Sequence, residues 1–402
     1  MARILIVGGS LGGLLAANML LRDGHDVQLL ERANGSLDGR GAGIVTHAAL
    51  DRGLERAGIT IDETLGVRVT SRVALDSNGD AVGRLTMPQV LTSWSRLYAL
   101  LSEAFPSVRC HGGVVVDRVE QEGNQVRARG ESGAVFEGDL LIASDGIRSA
   151  VRLQFAPEAV PEYAGYFAWR GVCDEALLSR RTLETVFDTF GFGLPAGEQL
   201  IGYPVAGQGN TTARGKRRYN FVWYRAADEH GQLRDLLTDA DGEHYPLGIP
   251  PNKVSWRHLA SMREAGRRLL APQFAEMLEK TAQPFLQPIF DVASERIAFD
   301  RVALMGDAAF LARPHVGMGV TKAAEDAMAL SDCIRAHGAT PAALKAYEAA
   351  RLPAGRAIVQ SARRLGAYMQ AQGFGAGRSE IERDAQTVLR ETAADLGESL
   401  AT

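Results

Sequence analysis

The sequence predicts an α/β fold with two unlike sheets and C-terminal helices. One domain is built on a parallel sheet, the other on a mostly antiparallel sheet. Three observations carry this. The chain opens on a short apolar run, a glycine-rich turn, a helix and a second apolar run. Two later apolar runs, Asp139–Ala143 and Val302–Met305, also end in glycine-containing turns. Between them, Tyr163–Tyr224 changes character, with short strands, frequent aromatics and no long helix.

Bulk properties narrow the function classes. A chain of 402 residues makes one large or two modest domains. It is 46% hydrophobic and 23% charged, the balance of a globular protein with a substantial core. A net charge of −4 argues against nucleic acid or an anionic membrane as partner. Cys110, Cys173 and Cys333 are far apart and lack metal-ligand spacing, so no disulfide framework and no metal site is expected. A reducing, cytoplasmic setting fits best. Ile4–Leu21 is an uncharged run of 18 residues, close to the length of a membrane span. Gly8, Gly9, Gly12 and Gly13 weaken such a helix, and Arg22-Asp23 follows it in place of a cleavage site, so neither span nor signal is expected.

Arg3–Val7 reads as a buried strand, Gly8–Gly13 as a turn, Leu14–Leu21 as a helix stopped near Gly24, and Asp26–Leu30 as a strand ending at Glu31. This βαβ unit is the Rossmann-like frame of a dinucleotide site. Gly8 permits the tight turn and Gly13 lets the helix approach the strands. Glu31, 18 residues beyond Gly13, stands where a carboxylate accepts a ribose hydroxyl. Ser10 holds the middle position of the usual glycine trio; its Cβ crowds a pyrophosphate, while its hydroxyl can donate to one.

A glycine-rich loop, Arg40–Val45, precedes a helix near Ala48–Ala57. Val67–Leu75 and Ala81–Met87, split by Ser77-Asn78-Gly79-Asp80, read as a hairpin. Ser93–Phe105 is helical. Val114–Gln121, Gln125–Gly130 and Ala134–Glu137 read as a small antiparallel meander, and Asp139–Ala143 as a buried strand closing in Ser144-Asp145-Gly146. Strands are then expected at Tyr166–Val172, Thr185–Phe190, Leu200–Pro204 and Tyr219–Tyr224. The basic run Arg214–Arg218 reads as a solvated hairpin tip, with a docking patch for a phosphorylated nicotinamide as the alternative. Leu233–Thr238, Lys253–Glu264 and Pro272–Thr281 are helical connectors, and Gln283–Ala293 is extended. Pro341–Gln370 is a long helix with a kink or break expected at Pro353, and Glu380–Ala394 a polar terminal helix.

The chemistry concentrates between residues 300 and 332. Val302–Met305 ends in Gly306-Asp307, a loop carries Arg313-Pro314-His315-Val316-Gly317-Met318-Gly319, and a helix follows near Val320–Ala336. A strand end, a glycine turn and a helix N-terminus make a cradle for an anionic group. Together, Gly8–Gly13 with Glu31, Ser144–Arg152 and Gly306–Gly319 resemble the class A flavoprotein monooxygenases of the para-hydroxybenzoate hydroxylase type, over nearly the whole chain. Gly8-Gly9-Ser10, Tyr163–Tyr166 with Trp169-Arg170-Gly171, and Arg313-Pro314-His315 resemble its 2,6-dihydroxypyridine 3-hydroxylase branch. The expected division is an FAD-binding domain at 1–65, 88–160 and 290–340, a substrate-binding domain at 66–87 and 161–289, and C-terminal helices at 341–402.

The resemblance implies FAD as cofactor, NADH or NADPH as transient co-substrate, O2, and a small aromatic substrate. Gly8, Ser10, Leu11 and Gly13 would line the FAD pyrophosphate, and Glu31 with Arg32 the adenosine ribose end. Arg96 would reach the cofactor from its helix, and Asp145 would brace the pyrophosphate region. Gly306-Asp307 would take the ribityl chain. Pro314 would lie beside the flavin ring, with Gly317, Met318, Gly319 and Val320 offering backbone N–H groups to its pyrimidine edge. Met318 and Thr321 stand where many relatives carry a polar residue and an asparagine. The implied reaction is hydroxylation of a hydroxypyridine or phenol, next to an existing hydroxyl, through a flavin C4a-hydroperoxide shielded from water.

His315, with Pro314, is the expected catalytic residue. A histidine suits deprotonation or binding of a ring hydroxyl, although a loop histidine is ordinarily just hydrogen-bonded. His47 and Tyr203 join His315 as candidate substrate contacts, against ordinary packing for Tyr203. Trp169 and Arg170 read as sheet structure. Trp223 and Tyr224 face opposite sides of one strand, so at most one lines a pocket. The alternatives are a bulkier polyketide or antibiotic substrate, electron transfer alone, or a non-catalytic flavin-binding protein. The C-terminal helices offer a surface for a homodimer.

Overall fold

The computed structural model describes residues 1–35, 37, 43–370 and 384–394. Its six-stranded sheet runs, in spatial order, Ala298–Phe299, Val302–Leu304, Leu140–Ala143, Arg3–Val7, Asp26–Glu31 and Cys110–Gly112. All neighbours pair parallel except the first two strands. The apolar runs read from the sequence are therefore central strands covered on both faces. The register sets Val7 opposite both Ala143 and Leu30, and Ala143 opposite Leu304. These strands thus end at one level, and their three glycine turns share one rim, where ligands bind in open parallel sheets.

The second sheet has nine strands, ordered Phe310–Leu311, Phe285–Ala293, Glu162–Asp174, Arg218–Ala226, Gln199–Val205, Phe190–Gly193, Val67–Leu75, Ala81–Ser93 and Gly43–Val45. It is antiparallel except where Phe190–Gly193 runs parallel to Val67–Leu75. Strand alternation sorts its aromatics onto two faces. Trp223 joins Trp169 and Phe221 on one face, packed against Phe274 of the Pro272–Lys280 helix. Tyr224 joins Tyr166, Tyr203, Phe190 and Phe192 on the other. Met369 of the Pro341–Gln370 helix and Val388 and Leu389 of the Ala385–Glu391 helix pack onto that second face. The small meander occupies Val116–Glu122, Gln125–Gly130 and Val135–Gly138. Among the described residues no helix is long and apolar enough to cross a membrane.

Some local expectations change. The strand expected at Thr185–Phe190 is a helical turn over Arg180–Phe187, and extended structure begins at Phe190. Ser179 caps that turn by accepting from Thr182 N, and Glu276 accepts from both their hydroxyls, so capping outweighs the β-branched composition. The strand from Ala81 continues past Met87 to Ser93, where it pairs with Gly43–Val45. Pro353 does not break its helix. Arg351 is tied to Asp326 and Glu325, and buried Tyr347 and Val359 anchor the two sides. The Arg40 loop up to residue 42, and residues 380–383 of the expected terminal helix, lie outside the described residues.

The basic hairpin also departs from expectation. Arg214 and Lys216 are exposed, but Arg217 is buried. Its Nη2 is 2.7 Å and its Nε 3.0 Å from the Glu175 carboxylate, and its Nη1 is 2.7 Å from Asp188. Burial opposes ionisation of Glu175, yet the bonds and charge of Arg217 hold its pKa below the ordinary value. That contribution to stability is present above the ordinary carboxylate pKa and is lost as pH falls through the lowered value. Arg217→Met strands a buried carboxylate and lowers unfolding stability by about 3 kcal/mol in urea titration, whereas Lys216→Ala changes it by less than about 0.5 kcal/mol.

Candidate active site

The cleft at this rim starts from close backbone approach. Gly8 has φ +104°, and a Cβ there would lie 2.3 Å from the Ser144 carbonyl oxygen. A Cβ on Gly13 would lie 1.8 Å from the Gly8 oxygen. No side chain fits either place. Glu31 is held at the rim: its Oε2 accepts from Gly9 N at 2.7 Å and its Oε1 from Ala33 N at 2.8 Å. Ser10 precedes the Leu11–Arg22 helix without capping it, so its hydroxyl and the first-turn N–H groups are open to a ligand. A cavity of about 410 Å³ is lined here by Gly8, Ser10, Glu31, Arg32, Asp145 and Asp307. Trp94, stacked on Tyr98, lines it too and was not singled out from the sequence.

The second and third turns are stitched together. Ser149 caps the Ala150–Phe155 helix through Arg152 N. The Arg152 guanidinium donates to the carbonyls of Gly146 and Ala308, each at 3.2 Å, linking the Asp145 loop to the Asp307 loop. Burial raises the pKa of both Asp145 and Asp307. Asp307 opens to the cavity, its side chain 48% exposed, while protein encloses its other sides. Lys322 opposes the rise at Asp307. Its fully buried Nζ lies 3.9 Å from both Asp307 and Asp326. Asp326 in turn accepts from Gly306 N at 3.0 Å and from Arg351 Nε at 2.7 Å. Lys322 and Asp326 were missed from the sequence; their i,i+4 spacing on a small-residue helix was the available signal.

The Arg313–Gly319 loop faces the second sheet. Arg313 grips Asp291 with Nε at 3.1 Å and Nη2 at 2.9 Å, both side chains buried. Pro314–Val316 is a tight turn, Gly317 takes φ +70°, and the Gly319–His337 helix starts at exposed Gly319 with no side-chain cap at Met318. The first N–H groups, including that of Val320, are therefore open. His315 is 1% exposed, with Nε2 2.7 Å from the Tyr166 hydroxyl and its ring edge-on to Tyr224 at 4.7 Å. Burial holds the Tyr166 phenol well above its usual pKa, so it keeps its proton. Tyr203 lies on the same face against Phe190, its hydroxyl pushed up to about 12 by burial. His47 bonds Thr321 Oγ1 at 3.0 Å and reaches the Ala393 oxygen at 3.5 Å. Arg96 donates to Thr64 Oγ1 at 2.7 Å.

These features fit FAD: a turn with no room for a Cβ, an unused serine hydroxyl, a pinned carboxylate and a second open helix N-terminus. A family profile described as FAD binding domain matches residues 1–187 and 267–362, and one described as FAD binding domain-like matches 163–291. The chain is 31% identical to 2,6-dihydroxypyridine 3-monooxygenase of Paenarthrobacter nicotinovorans, with 92% of each chain covered. It is 28% identical to aurachin C monooxygenase/isomerase of Stigmatella aurantiaca, covering 90% of this chain and 88% of that one. The solved structure of 2,6-dihydroxypyridine-3-hydroxylase from Arthrobacter nicotinovorans matches with a TM-score of 0.87 at 30% identity, over 94% of this chain and 96% of that one. The chain belongs to the FAD binding domain family of flavin-dependent hydroxylases. It is a monooxygenase with FAD as its cofactor.

A raised carboxyl pKa favours folding only at acid pH and costs stability as pH rises through it. In cofactor-free protein, Asp307→Asn therefore raises the melting temperature at pH 8, and the gain disappears below about pH 4. Thermal melts at the two pH values check the sign.

Proposed function

We propose that this enzyme hydroxylates a small, electron-rich N-heteroaromatic or phenolic ring beside an existing hydroxyl. NAD(P)H, a proton, O2 and the ring yield NAD(P)+, water and the hydroxylated ring. The observation that carries this is the apposition of an open helix N-terminus at Gly319 to an aromatic sheet face, with His315 between them. The named activity of the dihydroxypyridine relative supports a ring of hydroxypyridine size. So does the tight packing of Tyr166, Tyr203 and Tyr224, which disfavours a bulky polyketide. The free cysteines suit a cytoplasmic setting.

When bound, FAD supplies the redox and oxygen-activating chemistry. The chain's residues bind, orient and shield. Gly8, Ser10, Leu11 and Gly13 cradle the pyrophosphate, Asp145 braces it, and Glu31 with Arg32 takes the ribose end. Gly306 and Asp307 hold the ribityl chain. Pro314 sits beside the ring, and the N–H groups of Gly317–Val320 stabilise negative charge at its edge. The Tyr166 phenol keeps its proton and lies 2.7 Å from His315 Nε2, so it donates there and the imidazole proton sits on Nδ1. His315 then orients a ring oxygen as a donor.

The test is the visible spectrum of purified protein, followed by NADH and NADPH oxidation with dihydroxypyridines, hydroxynicotinates, salicylates and phenols. A colourless protein sinks the assignment; a yellow one that no ring stimulates sinks the hydroxylase part. His315→Ala keeps the flavin spectrum and loses substrate-stimulated turnover by roughly 100-fold. Tyr166→Phe, which removes the bond that sets the tautomer, loses about tenfold. Unchanged kinetics in both variants would return His315 to simple packing.

A further inference from the structure

The sheet face that carries Tyr166, Tyr203 and Tyr224 also holds a guanidinium that has no counter-anion among the described residues. Arg72 is 0% exposed. Buried Arg217 and Arg313 grip the carboxylates of Glu175 and Asp291, whereas Arg152 and Arg301, buried less completely than Arg72, donate to backbone carbonyls. Arg72 lies over the Phe190 ring at 4.9 Å, and among the described residues its hydrogen bonds go to neutral oxygens. These are Gln89 Oε1 at 2.7 Å and the carbonyls of Leu389, Thr392 and Ala393 at 2.7, 2.5 and 3.2 Å. Burial alone draws its pKa down to about 9, so the charge persists at neutral pH. Arginines this deeply buried are ordinarily paired with an anion.

Three groups converge on one of those oxygens. The Ala393 carbonyl receives Arg72 Nη2 at 3.2 Å and Gln89 Nε2 at 3.3 Å, and lies 3.5 Å from His47 Nε2. A carbonyl only accepts, so His47 Nε2 carries the proton and Nδ1 accepts from Thr321. Ala393 has φ +49°, a left-handed conformation that a residue with a Cβ adopts at a cost. Its N–H donates to the His315 carbonyl at 2.9 Å, and a Cβ on Gly317 would lie 2.6 Å from its methyl. The chain's own C-terminal segment thus inserts an oxygen beside the loop that carries His315.

We propose that Arg72, Gln89 and His47 form the subsite for an anionic oxygen of the aromatic substrate, and that the Ala393 carbonyl holds this place until substrate displaces residues 385–393. The anion is a ring oxyanion or a ring carboxylate. The proposal rests on the aromatic-hydroxylase reading and adds the charge of the substrate to it. An anion exchanges a neutral dipole for a full charge at Arg72, a gain that a neutral ring of the same shape does not receive. Release of the segment also frees Ala393 from its left-handed conformation.

The test uses full-length, FAD-loaded protein without NAD(P)H, so that binding is read from the flavin absorbance with no turnover. Hydroxypyridines and hydroxybenzoates are compared with their neutral methyl ethers and esters, and the pair that responds identifies oxyanion or carboxylate. Arg72→Met weakens the anion roughly 10- to 100-fold and its neutral analogue by less than about twofold, and Arg72→Lys recovers part of the loss. In the unmodified protein, which needs no tolerated substitution, amide hydrogen exchange across 385–393 rises with the anion and not with the neutral analogue. Equal losses for both ligands, or unchanged exchange with anion bound, overturn the subsite. If no ring perturbs the flavin of unmodified protein, the hydroxylase reading falls and the subsite with it. Rings that bind without charge discrimination overturn the subsite alone.

Discussion

The cofactor cleft depends on how closely three backbone turns approach one another. They leave the ends of Arg3–Val7, Leu140–Ala143 and Val302–Leu304, strands held level by parallel pairing. Ser144 stands at the centre. Its carbonyl would clash with any Cβ on Gly8, and its hydroxyl oxygen lies 2.8 Å from where a Cβ on Gly12 would be. Space this tight leaves the turns one arrangement. Glu31, Asp145 and Asp307 consequently face one cavity although they are distant along the chain. Geometry held by packed backbone is more accurate than geometry held by loops, as a site must be to position a large cofactor.

Buried charge is distributed by use. Asp291 is gripped by Arg313 and Arg363, which ties the His315 loop to the Phe285–Ala293 strand and the long C-terminal helix. Arg351 does the same for Asp326 and the Gly306 turn. Such pairs cost desolvation and return a single rigid arrangement where geometry and hydrogen bonds are complete. Asp307 and Arg72 are different, for among the described residues neither has a tight opposite charge. Asp307 has Lys322 only at 3.9 Å, and Arg72 has carbonyl dipoles. Both face places where a ligand is expected. Incomplete compensation at such positions is a stability cost carried for binding.

Local chemistry was legible in the sequence. The Val67–Leu75 strand and the Pro341–Gln370 helix match their expected bounds, because alternation and helical periodicity act within a few residues. The three glycine turns were legible for the same reason. Thr185–Phe190 misled, since its β-branched and aromatic pattern resembles a strand while Ser179 and Glu276 enforce a helical turn. Arg217 misled as well. It sits in an exposed basic run, and only the fold brings Glu175 and Phe187 to it.

By itself, then, the sequence determined most of the strands and helices, the three glycine turns and the chemical types gathered there. These follow from side-chain period, glycine conformation and helix-end donors, which neighbouring residues set. Tertiary structure alone decided which charges are paired, which side of His315 is engaged by Tyr166, and that Ala393 lies against Arg72 and His47. The physical reason is separation along the chain. Arg72 and Ala393 are 321 positions apart, and nothing in the local pattern of either segment encodes the other. Their meeting depends on the second sheet and two C-terminal helices packing at once, and on a low-dielectric interior in which pairing each buried hydrogen-bonding group selects the arrangement.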